Sequence, residues 1–289
     1  MNWPSDVKLL IGLGAMKAGT TWLYEYLKKN PEVHFSSLKE VHYFDVLNYP
    51  HDRHHLISKV DRVHSILESV KNKTLSELSS AVKNFDQVSD EIIMYKNSDG
   101  KHREYKEFLI RGYNRQKVIG DITPSYCFSS QSVISDMLAL SHDVRFIFIM
   151  RDPINRLWSA IRMRAKQQNE LNFNDSCELI VKELVDNPLH PMLTRSDYIR
   201  TLENVEKVVT RDKFLNIFYE EMFSSHTCKK ISDFLDIPYL EPSFNSAINK
   251  GEDLALDDNT YNKLYSILEP QYIYLRDRLG SSIPAEWNL

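Results

Sequence analysis

The stretch Val7–Lys29, VKLLIGLGAMKAGTTWLYEYLKK, limits the possible folds more than any other part of the chain. An apolar run from Leu9 to Leu13 stops at Gly14. A short loop follows, carrying Lys17, Gly19, Thr20 and Thr21. The apolar period then changes, with Leu23, Tyr26 and Leu27 recurring at helical spacing. The pattern predicts a strand, a glycine loop and a helix. Such a junction aims loop amides and a helix N-terminus at an anion. Gly14 and Gly19 keep the spacing of a phosphate-binding P-loop, but Thr20 stands where that pattern has lysine. The loop's lysine is inside it, at Lys17. In nucleoside triphosphatases the post-glycine lysine reaches the terminal phosphates and the next residue holds Mg²⁺. A cradle without that arrangement suits a phosphate-like group whose transfer needs less charge neutralisation. A plain turn explains the glycines alone equally well. Lys17, Thr20 and Thr21 at the helix start favour anion binding.

The rest of the chain continues the alternation. Lys117–Gly120 reads as a short strand and Gln131–Leu140 as a helix. Val144–Met150, VRFIFIM, is the strongest buried strand and ends at Arg151-Asp152-Pro153. Helices are expected over about 155–167, 197–209, 222–235 and 257–279, with Pro270 as a kink or break in the last. Lys213–Tyr219 is a further strand. Alternating strands and helices predict an α/β fold with a central parallel sheet and helices on both faces. Ligands of such sheets bind at the carboxyl ends of the strands, where Gly14–Thr21 and Arg151 both fall. The polar segment from about Asp45 to Arg115 reads as a weakly helical insertion over the open edge of the site. Its His51, His54, His55 and His64 lack the spacing of a known metal motif, so no metal is expected.

Composition restricts the partners. The chain of 289 residues suits one large α/β domain. A net charge of −4 argues against coating nucleic acid by bulk electrostatics. Three scattered cysteines form no disulfide framework and fit a reducing compartment. No apolar run approaches the roughly 20 residues that span a bilayer. The expectation is a cytoplasmic protein, or one whose membrane anchor has been removed. Oligomeric state is open.

Arg151 directly follows the best strand, and Ser159 lies eight residues on, inside the next helix. An arginine at a strand end can clamp a phosphate bidentately, and a hydroxyl can add a bond. Alone, Arg-Asp-Pro reads as a local cap. Together with the glycine loop it suggests a ligand with phosphates at both ends.

Five segments in order then resemble the sulfotransferase family. GAMKAGTTWLYEYL is similar to its 5′-phosphosulfate loop, and FIFIMRDPINRLWSA to its 3′-phosphate motif. KEVHYFD, Lys39–Asp45, resembles the acceptor-activating segment of the heparan sulfate (glucosaminyl) sulfotransferases. IGDITPSY resembles their Gly-Glu-Lys-Thr-Pro segment. NKG, Asn249–Gly251, resembles the late loop that closes over the donor. The resemblance implies a P-loop-like fold and 3′-phosphoadenosine 5′-phosphosulfate (PAPS) as donor, with the 3′,5′-bisphosphate (PAP) as product. It places donor contacts at Lys17, Ala18, Gly19, Thr20, Thr21, Trp22, Arg151, Ser159, Lys250 and Gly251. Lys17 is expected to stabilise the leaving group, and Glu40 to act as general base with His42 as partner or substitute. An extended segment would put Glu40 and His42 on one face. Two positions depart from the heparan pattern: Asp121 replaces its Glu and Ile122 its Lys, so a heparan-like acceptor contact is missing. The acceptor is a hydroxyl of a carbohydrate, a polyketide or lipid alcohol, or a small metabolite. The competing readings are a P-loop nucleotide or small-molecule kinase, and a non-catalytic module that keeps the nucleotide site.

Overall fold

The computed structural model describes residues 3–71, 74–168, 172–242 and 254–287. Five strands form one sheet: β1 (Lys8–Gly14), β2 (Val33–Phe35), β3 (Val118–Ile122), β4 (Val144–Met150) and β5 (Phe214–Phe218). Their order is β2-β3-β1-β4-β5, and every recorded pairing is parallel. β1 occupies the centre because six of its seven residues are buried, as a strand covered on both faces requires. β4 is buried at six of seven positions for the same reason.

Among the described residues thirteen α-helices accompany the sheet. In order, the first five are α1 (Thr20–Lys28), α2 (Tyr43–Asn48), α3 (His54–Val70), α4 (Leu75–Ile93) and α5 (Arg103–Leu109). Next come α6 (Gln131–Leu138), α7 (Pro153–Ala165), α8 (Phe173–Asp186) and α9 (Pro191–Thr194). The last four are α10 (Tyr198–Glu206), α11 (Tyr219–Met222), α12 (Ser225–Leu235) and α13 (Asp258–Leu279). Among the described residues no helix is long and apolar enough to cross a membrane.

Two apolar clusters organise the packing. The larger surrounds the sheet, with Leu9, Ile11, Phe146 and Phe148 at its centre. The second joins α7, α8 and α13 through Ile154, Leu157, Ile180, Leu184, Leu264 and Leu268. Three local expectations change. The polar segment is strongly helical: α3 and α4 run 17 and 19 residues, although α3 buries none of its side chains. Val33–Phe35 adds an edge strand that three residues are too few to announce. Pro270 lies inside α13, so of the kink or break expected there the break does not occur.

Candidate active site

All five strands end on the same edge of the sheet because they run parallel. The glycine loop follows β1, residues 36–42 follow β2, Thr123–Ser125 follow β3, Arg151 follows β4, and Tyr219 follows β5. The parallel sheet therefore brings these segments out along one edge, where ligands of such sheets bind.

The glycine loop takes its path from two glycines. Gly14 has φ +117°, and a Cβ there would lie 2.5 Å from the carbonyl oxygen of Pro124. Gly19 has φ +90°, in the left-handed region, and forms the N-cap of α1 without a side-chain bond. The amides of Gly19, Thr20 and Thr21 find no acceptor among the described residues. Lys17 also has positive φ, 70°. Among the described residues its ammonium reaches only the sulfur of Met163, at 3.7 Å. Burial lowers the Lys17 pKa, and the charges of Arg151 and Arg162 lower it further. An anion between these cations would reverse that repulsion.

Arg151 closes on the same loop. Its Nη1 donates to the Lys17 carbonyl at 3.1 Å, and its guanidinium lies 4.5 Å from the centre of the Tyr219 ring. Asp152 does not pair with Arg151. It caps α7 by accepting from the Asn155 amide at 2.7 Å, and it accepts from the Tyr272 hydroxyl at 2.6 Å. Ser159 is half-buried on α7, one turn before Met163, the residue that touches Lys17. Ala18 and Thr20 have buried side chains, so the backbone is what they offer. Thr21 is half-buried at the start of α1. Trp22 is packed, stacked on Tyr26 at 5.2 Å and edge-on to Phe223. Lys250 and Gly251 lie outside the described residues.

Elsewhere along this edge, Glu40 and His42 meet, but not by extension. His42 has φ 57° and precedes α2. The turn brings His42 Nε2 to 3.6 Å from Glu40 Oε2, and His42 Nδ1 to 2.6 Å from Asp45 Oδ2. Lys39 Nζ is 2.5 Å from Glu40 Oε1. Asp45 Oδ2 also accepts from the Ser125 hydroxyl. Burial alone would lower the His42 pKa, yet the bonds to Asp45 and Glu40 carry it up to about 9. Burial would raise Glu40, but His42 and Lys39 hold it down to about 2. His42 is thus an imidazolium between two carboxylates at neutral pH. His55 stacks on it at 3.5 Å, and burial with the His42 charge lowers His55 to about 4.

Ligand atoms of His42, Asp45 and His55, and of Asp52, His54 and His55, lie within 4.8 Å of one another. The His42 and His55 rings are nearly parallel, at 12°, so their in-plane lone pairs run side by side and do not converge on one ion. Asp45 is already engaged by His42 and Ser125.

Thr123 ties the two halves together. Its hydroxyl accepts from the Val41 amide at 2.9 Å and donates to Asp121 at 2.7 Å. Asp121 is fully buried and also accepts from Tyr105 and Tyr126, at 2.7 and 2.8 Å. Burial raises it to about 6 against those three bonds. Asp121 is thus a hub beneath the site. Ile122 is fully buried, packed on Gly12. Asp45 and Ser125 are the partners the sequence reading misses. For Asp45 the signal is its i+3 spacing from His42; Ser125 arrives from 80 residues away.

The sulfotransferase domain family matches residues 8–252 of this sequence. The chain belongs to the sulfotransferase family. A sulfotransferase from Alicyclobacillus acidocaldarius is similar over 99% of both chains, at 17% identity and a TM-score of 0.63. The sulfotransferase domain of the Synechococcus PCC 7002 olefin synthase is similar over 82% of this chain and 76% of its own, at 16% identity and a TM-score of 0.48. No curated protein matches the chain in sequence. The first likeness shows the shared fold: a central parallel sheet flanked by helices.

Proposed function

We propose that the chain is a PAPS-dependent O-sulfotransferase. The observation that carries this reading is a cationic loop at the same sheet edge as a partly buried carboxylate–imidazolium–carboxylate chain. Lys17, Arg151 and three amides unpaired among the described residues crowd one side. Glu40, His42 and Asp45 line the other.

The residues fit the donor. The amides of Gly19–Thr21, unpaired among the described residues, and the Lys17 ammonium suit its 5′-phosphosulfate, and Arg151 with Ser159 suits its 3′-phosphate. Lys250 and Gly251 are proposed to join them on the resemblance alone. Bound there, PAPS supplies a sulfuryl group on a phosphate leaving group, for in-line displacement by an acceptor oxygen.

Lys17 holds positive charge where the leaving oxygen becomes negative. Its contribution is larger in the transition state than in the ground state. Glu40 takes the proton of the acceptor hydroxyl. Its low pKa keeps it ionised at neutral pH but makes it a weak base while His42 and Lys39 hold it. The His42 imidazolium orients Glu40 and is itself held by Asp45 and Ser125. The resemblance of Lys39–Asp45 to the heparan sulfate branch supports these roles for Glu40 and His42. The buried Ile122 supplies no second acceptor contact of that kind.

The test is transfer from ³⁵S-labelled PAPS across a panel of hydroxyl acceptors, with Glu40→Gln beside it. Glu40→Gln is expected to lower turnover by about 10²–10⁴-fold while PAP affinity stays within about twofold. Undiminished turnover would remove Glu40 as the base.

A further inference from the structure

A cavity of about 300 Å³ opens beside the glycine loop, between α7 and α9. That is the low end of the ~300–1,000 Å³ typical of small-molecule sites. Met16 of the loop, Met163 of α7 and Met192 of α9 supply its apolar surface. Met163 also touches Lys17, so the cavity adjoins the position where the sulfuryl group is transferred. Methionines make an adaptable apolar wall.

The same cavity is cationic. Arg164 lines it but is occupied by Glu183 at 3.3 Å and by His190 at 3.1 Å. Arg195 is different. It is half-buried, its Nη1 rests 2.8 Å from the Met16 sulfur, and no carboxylate pairs with it among the described residues. Asp52 feels its charge but forms its ion pair with His51. Behind Arg195, the fully buried Arg156 leaves Nε and Nη1 without partners among the described residues. Burial, then Arg195 and Arg151, lower the Arg156 pKa to about 10. Positive charge is concentrated here beyond what the described carboxylates offset.

We propose that this cavity receives the acceptor, an amphipathic hydroxyl compound whose apolar body lies on the methionines and whose carboxylate pairs with Arg195. A guanidinium fork suits a carboxylate bidentately, and a half-buried unpaired one gains most from it. The proposal rests on the sulfotransferase reading, and the two fail separately.

Octanoate and octan-1-ol, titrated by calorimetry into the protein with and without PAP, provide the test. Octanoate is expected to bind at least tenfold more tightly than octan-1-ol. Arg195→Ala should remove that preference, Arg195→Lys should recover part of it, and PAP affinity should stay within about twofold in both. With labelled PAPS, 8-hydroxyoctanoate should be sulfated at least tenfold faster than its methyl ester. Equal binding of acid and alcohol, or octanoate binding that survives Arg195→Ala, overturns the carboxylate site. Octanoate binding without sulfation of the hydroxy acid, in protein that binds PAP, overturns its role as acceptor site. A protein that binds octanoate but not PAP refutes the donor reading instead.

Discussion

His42 sits between two carboxylates, and that position sets its charge. Its folded pKa of about 9 stands above the ordinary 6.5, so folding favours the protonated ring. Its contribution to stability is complete below about pH 6.5 and is lost as pH rises toward 9. The His42 ring should therefore titrate near pH 9 by NMR, while His55, stacked against it, stays neutral down to about pH 4. Asp45→Asn removes the stronger carboxylate partner, so the His42 titration should move toward the ordinary value. An unmoved titration would show that Asp45 does not hold the charge. The placement of Lys17 and Arg151 side by side after strand ends is legible in the sequence, because each follows an apolar run that forms a parallel strand. The roles of Asp45 and Ser125 are not. They depend on the left-handed turn at His42 and on a contact spanning 80 residues, neither of which local periodicity encodes.

Segments, more than single side chains, hold the two halves of the site in register. Thr123→Val keeps the shape but leaves the Val41 amide and one Asp121 oxygen without a partner. Two orphaned buried groups cost about 2–4 kcal/mol, or roughly 5–10 °C in Tm for a chain of this size. Because Val41 lies between Glu40 and His42, kcat should fall as well, with PAP affinity changed little. A stable variant with normal kcat would show that the anchor is dispensable. The glycine loop gives a second case. Gly14→Ala forces positive φ on alanine and drives a Cβ into the Pro124 carbonyl. Gly100 also has positive φ, 65°, but a Cβ there meets nothing within 4 Å. Backbone strain alone costs about 1–3 kcal/mol, so Gly100→Ala measures the strain and Gly14→Ala the strain plus the clash. Gly14→Ala should have the lower Tm and the weaker PAP binding. At this scale the main strands and the helices α1 and α7 are readable, since buried runs and helical periods are strong there. α3 does carry a helical period, Leu56, Val60, Val63, Leu67 and Val70, but none of its side chains is buried and the polar residues around the stripe mask it.

The whole molecule is a sheet whose carboxyl edge gathers segments distant in sequence. The strand order β2-β3-β1-β4-β5 does this by flanking β1 with β3 and β4, so the glycine loop lies between Thr123–Ser125 and Arg151. No periodicity states that order; the alternation of strands and helices predicts only that some parallel sheet exists. A ligand spanning the loop and Arg151 therefore crosslinks separate chain segments and binds the folded state alone. Such binding adds about 2.7 kcal/mol at a concentration 100 times Kd. PAP at that level should raise Tm by about 5–10 °C. ATP with Mg²⁺ should add little, because Thr20 stands where a kinase loop has its lysine. Arg151→Ala should shrink the PAP shift by weakening the second phosphate contact, whereas Lys17→Ala should reduce turnover more than it reduces the shift. The reverse pattern, a large shift with Mg-ATP and none with PAP, would favour phosphoryl transfer. The loop that limits the fold at the start of the chain would then be a P-loop whose lysine had moved without changing the reaction.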